Sequence, residues 1–255
     1  MSIEKTYEKI QESIPAKTRI DSLEVVKQVE EYRQFWKPEK INVALLAESH
    51  VYTDEQDYNM KCDEFILHRI IPDYPLRFVR FVYCLGYGEN SLLKTVRTDR
   101  KNSGTPQYWK IFSSCVAESA ENEETLGFHR ILKSKTKDLA QRLQNKVNIL
   151  RKMKEKGIWL LDASIVGLYG SGRKSLTITK RIIEISWKNY VANIILESSP
   201  RHTIVIGEGV ARILGPELER VDIPFTIIPQ PQAKGSRQWQ LENYKQYQRI
   251  CAKYS

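Results

Sequence analysis

Four polar side chains lie at the ends of the most apolar segments of the chain, and they are the first candidates for chemistry. Glu48, Asp162, Glu208 and Gln230 each follow or end such a segment. Ionised carboxylates accept hydrogen bonds and can position a water molecule, whereas the amide of Gln230 both donates and accepts. The pattern predicts a polar site assembled from distant parts of the chain.

The apolar segments themselves predict β-strands. Each is a near-continuous apolar run that ends in polar, Gly or Pro residues, which is typical of a parallel strand buried on both faces. The runs are Ile41–Ser49, Ile158–Ser164, Thr203–Glu208 and Phe225–Pro231. Helical patterns lie between them, so we expect parallel βαβ units with right-handed crossovers. Loops at the carboxyl ends of parallel strands converge on one crevice, where the four polar residues are expected to meet.

Apolar residues at helical spacing predict the helices. One stripe runs from Leu139 to Leu150, and Asp21 with Glu24 resembles a capping box at the start of an N-terminal helix. Further helices are predicted at residues 178–194, 209–214 and 239–253. Residues 51–134 give no clear pattern, and within them Phe78–Leu85 is either an extra strand or a buried helix.

Composition limits the class of protein. The 255 residues carry a net charge of +9, which is consistent with a polyanionic partner such as DNA. The four cysteines form no CxxC pair, so neither a disulfide framework nor a zinc or iron–sulfur site is expected. No apolar run approaches a membrane span, and the first residues lack the apolar region of a secretory signal. We therefore expect a cytoplasmic monomer without metal or cofactor.

Several segments resemble the uracil-DNA glycosylase superfamily in their order and spacing. VALLAESHVY (residues 43–52) resembles the strand and loop that carry the family's water-activating motif, and KEKGIWLLDASIVGLYG (154–170) resembles the strand that ends in its base-reading Asn. FTIIPQPQAKGS (225–236) resembles the last strand, which in the family ends in a His-Pro-Ser-Pro loop. GTPQYW (104–109) lies where the family has a Pro-rich loop. The resemblance covers residues 41–240 and implies a three-layer α/β/α fold with a central, four-stranded, mainly parallel sheet.

The resemblance implies hydrolysis of the bond between a base and its sugar, with altered residues at the first motif. The family sequence Gly-Gln-Asp-Pro-Tyr aligns with residues 47–51, so Ser49 stands in place of the water-activating Asp. Glu48 is the candidate for positioning water, unless it caps a helix or binds a loop N–H. His50 is the histidine of this strand-end loop, and it either lines the base pocket or is structural.

The base-reading Asn is replaced by Asp162. The place of the last-loop His is taken by Ile228, Pro229 or Gln230, depending on a one- or two-residue offset. An ionised Asp only accepts hydrogen bonds, so it suits the exocyclic amino group of cytosine or adenine rather than uracil O4. Asp162 therefore shifts the base preference, acts as the catalytic carboxylate, or holds its loop. Gln230 can donate to a base carbonyl but cannot carry positive charge.

Aromatic and basic residues complete the predicted site. Phe81 lies where the family carries its stacking Phe, unless it belongs to the core, and Tyr52 could form another wall of the base pocket. The candidate DNA contacts are Arg173, Lys174, Lys234, Ser236 and Arg237. The first two belong to the Gly-rich segment 167–175, which either binds a phosphate or forms a surface turn.

The sequence thus predicts a single domain over residues 1–255, with an N-terminal helical extension (1–40), a core (41–240) and a C-terminal helix (241–255). The predicted function is that of a DNA glycosylase-like hydrolase. Such an enzyme would bind single- or double-stranded DNA and act on a flipped base that is deaminated or bears an amino group. Two alternatives remain open: a non-catalytic nucleic-acid-binding member of the same fold, and an enzyme that acts on small nucleotides or nucleosides.

Overall fold

A parallel β-sheet organises the computed structural model, which describes residues 1–172, 175–231 and 233–255. The strands are β1 (Val43–Ala47), β2 (Ile158–Asp162), β3 (His202–Ile206) and β4 (Phe225–Ile228). Their order is β2-β1-β3-β4, and all three neighbouring pairs are parallel. The predicted α/β class and the four strands are confirmed, and the sheet is all-parallel.

Burial explains why the strand sequences are nearly continuous in apolar residues. Every residue of β1, β2 and β3 is buried, because helices cover both faces of the sheet at these strands. In the central strand, Leu45 lies in register with Leu160 of β2 and Ile204 of β3. The edge strand β4 is less covered, and its Ile227 is exposed.

Ten helices surround the sheet in the part of the chain that the structure describes. They are α1 (Ile3–Ser13), α2 (Leu23–Phe35), α3 (Glu55–Tyr58), α4 (Glu64–His68), α5 (Pro106–Val116), α6 (Leu139–Glu155), α7 (Leu176–Ser186), α8 (Ala192–Ser198), α9 (Glu208–Arg220) and α10 (Arg237–Tyr254). One π-helical turn, Trp187–Val191, joins α7 to α8. None of the described helices combines the length and apolar character needed to cross a membrane.

The crossovers divide the helices into two groups. From β1 the chain moves to β2 on one side, and from β2 it returns past β1 to β3. Right-handed crossovers therefore place the two connections on opposite faces of the sheet. The packing agrees: α5 packs against α6 and α10, while α7 packs against α1 and α9.

The N-terminal helices are packed into this body. Tyr7 and Ile10 of α1 and Val25, Val26 and Val29 of α2 are buried in the core. The predicted capping box at Asp21 is wrong, because Ser22 is the N-cap of α2 and its Oγ accepts from the backbone N–H of Val25. Asp21 is instead completely buried, and its carboxylate binds Thr53 in the loop after β1 and Gly167 in the loop after β2.

The segment between β1 and α5 consists largely of turns and irregular backbone, apart from the short helices α3 and α4, and residues 78–89 are its continuous buried stretch. Phe78–Leu85, predicted as a strand or a helix, is neither, although its residues are buried. Side chains replace regular backbone pairing here: the hydroxyl of Tyr74 donates to the carbonyl of Tyr83 and accepts from the N–H of Leu85. This packing carries Phe81 to the carboxyl end of the sheet.

Candidate functional site

A cavity of about 180 Å³ lies at the carboxyl ends of β1, β2 and β4. Five of the predicted site residues line it, namely Ser49, His50, Phe81, Asp162 and Gln230. The convergence follows from the parallel topology, since all four strands end at the same edge of the sheet. Glu208, at the end of β3, begins α9 as an exposed residue and does not line this cavity.

Asp162 is held by two cationic side chains. Its Oδ2 accepts from Arg33 Nη2 at 3.0 Å and lies 3.3 Å from His50 Nδ1. The Asp162 side chain is only 2% exposed, so these contacts are shielded from water. Within the described residues Oδ1 has no hydrogen-bond partner, and Asp162 lines the cavity. The carboxylate therefore offers the cavity an acceptor oxygen while its other oxygen is occupied.

His50 bridges two buried carboxylates. Besides the contact with Asp162, its Nε2 lies 3.1 Å from Asp21 Oδ2, and its side chain is fully buried. Burial lowers the pKa of His50, but the hydrogen bonds to Asp162 and Asp21 outweigh it and raise the pKa to about 9. With both ring nitrogens engaged as donors, the imidazolium has no lone pair for use as a base. Its role in this geometry is to fix Asp162.

Asp21 ties two strand-end loops together. Its Oδ1 accepts from the N–H of Thr53 at 2.7 Å, and its Oδ2 accepts from the N–H of Gly167. Gly167 is required sterically, because a Cβ there would lie 2.5 Å from the backbone nitrogen of Tyr52. The loops after β1 and β2 are thus joined through one buried carboxylate.

Glu48 lies beside the cavity rather than in its wall. The hydroxyl of Tyr169 donates to Glu48 Oε2, and Gln230 Nε2 donates to the same oxygen at 3.2 Å. Both partners line the cavity. Burial and the neighbouring Glu48 raise the pKa of Tyr169 well above its usual range, so the phenol keeps its proton. The predicted water-positioning residue is held at the edge of the cavity by these two side chains.

The cavity also has aromatic walls. Phe81 is 2% exposed and both lines the cavity and packs on Tyr83, so its core and pocket roles coexist. Tyr108, from the first turn of α5, lines the cavity as well. Tyr52 does not. It lines a separate surface groove, with the guanidinium of Arg19 5.7 Å from its ring centre.

The candidate DNA contacts are only partly free to bind. Lys234 is exposed and, among described residues, has no ion pair. Ser236 is the N-cap of α10. Arg237 is exposed but paired with Glu123, at 3.0 Å from Nε to Oε1. Arg173 and Lys174 lie outside the described residues.

Four residues of the site were missed in the sequence: Arg33, Asp21, Tyr108 and Tyr169. Tyr169 carried a weak signal, because it lies seven residues beyond Asp162 in the loop that follows β2. Asp21 and Arg33 carried none, since a polar residue before a helix and a basic residue within one are usually exposed. Within the described ranges, no group of His, Cys, Asp and Glu has an arrangement that could hold a metal ion.

Comparisons with protein-family models, with curated proteins and with solved structures found no match to this chain.

Proposed function

We propose that this cavity binds a nucleobase that has turned out of a DNA strand, and that the protein hydrolyses the N-glycosidic bond of that base. The observation that carries the proposal is the meeting of two aromatic walls, Phe81 and Tyr108, with the polar groups of Asp162 and Gln230 in one cavity. Pockets for drug-sized ligands are about 300–1,000 Å³. A cavity of about 180 Å³ suits a smaller group, such as a single planar base.

The charge around Asp162 supports a preference for a base with an amino group. Arg33 and the His50 imidazolium both contact its Oδ2, so the carboxylate lies beside two positive charges. An ionised carboxylate accepts hydrogen bonds and repels a carbonyl oxygen. The free acceptor therefore suits the exocyclic amino group of cytosine or adenine, whereas uracil would present O4 to it.

The reaction requires water to attack C1′ of the sugar while the C1′–N bond breaks and its electron pair leaves with the base. In our proposal Glu48 orients the attacking water and accepts its proton. Gln230 donates a hydrogen bond to a carbonyl of the departing base. Since neither Gln230 nor His50 supplies a free cationic donor there, we expect slow hydrolysis.

Binding without hydrolysis is a second candidate, which one observation favours. Glu48 is engaged by Tyr169 and Gln230 and does not line the cavity, so a water beside the sugar would need these contacts to rearrange. A net charge of +9 is compatible with DNA binding in either case.

The test is cleavage of labelled oligonucleotides that carry cytosine, adenine, uracil or hypoxanthine, in single- and double-stranded form, followed by alkali. The proposal predicts cleavage at an amino-bearing base, lost in Glu48→Gln and retained in Glu208→Gln. The second substitution is a matched control, because Glu208 is an exposed strand-end glutamate outside the cavity.

The other outcomes separate the candidates. Salt-sensitive binding to the same oligonucleotides without cleavage would establish the binding function and exclude the hydrolase. Neither binding nor cleavage would contradict both and direct attention to small nucleotides.

A further inference from the structure

Arg33 reaches two walls of the cavity from behind. It belongs to α2 and does not line the cavity itself. Its Nη2 donates to Asp162 Oδ2 at 3.0 Å, and its guanidinium carbon lies 5.3 Å from the centre of the Phe81 ring. One side chain therefore contacts both Asp162 and Phe81, which form two walls of the cavity.

The position of Arg33 is itself fixed on two sides. Its Nη1 donates to Glu30, one helical turn earlier, so the guanidinium is held between two carboxylates. Its backbone carbonyl accepts from Trp159 Nε1 at 3.0 Å, which fastens the end of α2 to the strand that carries Asp162. The Arg33 side chain is 5% exposed. These contacts hold the guanidinium in place behind the cavity.

The contacts determine which oxygen of Asp162 remains for a ligand. Arg33 and His50 both engage Oδ2, from two different elements, so the carboxylate cannot turn without breaking two charged hydrogen bonds. Oδ1 is then the atom presented to the cavity. A lysine at position 33 would keep the charge but lose the planar fork that reaches Glu30 and Asp162 together.

We propose that Arg33 is a positioning residue that sets the base selectivity of the cavity by fixing Asp162 and Phe81, an inference that rests on the proposed function. It acts through these two side chains and does not contact the base. The proposal gives the N-terminal helical segment a part in recognition, although that segment lies outside the range of family resemblance.

The experiment measures kcat and KM, or Kd where no cleavage occurs, for paired oligonucleotides that differ only in cytosine or uracil at one position. The parent protein is compared with Arg33→Met, Arg33→Lys and Arg249→Met. Arg249 is a matched control, because it is an exposed arginine paired with Glu242 on α10. The readout is the ratio of kcat/KM, or of affinity, between the cytosine and uracil oligonucleotides. A loss of folded protein lowers the apparent activity on both oligonucleotides by the same factor and leaves this ratio unchanged.

We expect the cytosine-to-uracil ratio to fall at least about tenfold in Arg33→Met, because misplacing a binding group by about 1 Å can cost on the order of 10²-fold. Arg33→Lys should restore only part of the ratio, and Arg249→Met should match the parent. If Arg33→Met is poorly folded, the ratio is taken from Arg33→Lys, which keeps the buried charge. A selective parent with unchanged selectivity in both variants would overturn the Arg33 assignment alone. A parent that neither binds nor cleaves would overturn the proposed function, and this assignment with it.

Discussion

The buried imidazolium of His50 predicts a loss of stability at alkaline pH. Its pKa is raised from 6.5 to about 9, because the hydrogen bonds to Asp162 and Asp21 outweigh the cost of burial. A group whose pKa is higher in the folded state binds its proton more tightly there than in the unfolded chain. Its contribution is therefore complete below pH 6.5 and is lost as the pH rises to about 9.

The size of the effect follows from that interval. It spans about 2.5 pH units, and each unit corresponds to about 1.36 kcal/mol. The free energy of unfolding should thus fall by about 3 kcal/mol between pH 6.5 and 9 through this residue. Because domains of this kind are stable by only about 5–15 kcal/mol, the change is large enough to measure.

Urea unfolding of the parent and of His50→Gln, at intervals from pH 6 to 9.5, provides the assay. Other groups titrate over the same range, but they are common to both proteins and cancel in the difference. We expect the difference in unfolding free energy to shrink by about 3 kcal/mol as the pH rises. The exposed His129→Gln should instead follow the parent. A His50→Gln difference that stays constant with pH would refute the charged, doubly bonded imidazolium.

Three further predictions concern other parts of the molecule. Gly207→Ala should destabilise the fold by about 1–3 kcal/mol and weaken base binding, because φ at Gly207 is +101° and a Cβ would lie 2.5 Å from Gln230 Cγ. Thermal unfolding and oligonucleotide titration test this prediction. Gly209→Ala is the control, because a Cβ there would meet no atom within 4 Å. Glu89→Gln should lower the free energy of unfolding by about 3–5 kcal/mol at pH 7, because it leaves two buried cations, Arg142 and Lys146, unpaired. Burial raises the pKa of Glu89, but its cationic partners lower it to about 2. In the parent this contribution should therefore be present above pH 4.5 and lost as the pH falls towards 2, which acid unfolding of both proteins measures. Lys234→Gln should weaken DNA binding equally for all sequences and reduce the salt dependence by about one counterion, and an unchanged salt slope would remove this residue from the interface.

The strands were predictable because β1, β2 and β3 are buried along their whole length, so their sequences are almost continuously apolar, and the partly covered β4 keeps the same apolar character. Parallel topology then brought Asp162 and Gln230 to one edge, although they are far apart in the chain. The same reasoning placed Glu48 directly after β1, but it did not give the orientation of the Glu48 side chain. That orientation depends on Tyr169, which comes from a loop whose path no periodicity specifies.

The buried charge network was not predictable from local patterns. Arg33 and Asp162 are separated by 129 positions, and an arginine within an amphipathic helix is usually solvated. Asp21 resembled a cap because a glutamate follows three residues later, yet the neighbouring Ser22 caps the helix. The prediction of a strand or helix at residues 78–85 was wrong for a different reason, because aromatic packing and side-chain hydrogen bonds take the place of regular structure there.

In this proposal Asp162 selects the bound base as a hydrogen-bond acceptor, and the substitution Asp162→Asn removes that selection. The measurement is the ratio of cleavage, or of affinity, for matched cytosine and uracil oligonucleotides with the parent and the variant. An amide presents both a donor and an acceptor, so we expect the preference to move from the amino-bearing base towards uracil by about tenfold or more, which is on the scale of one hydrogen bond to a charged group. An identical ratio in the two proteins, with both folded, would contradict it.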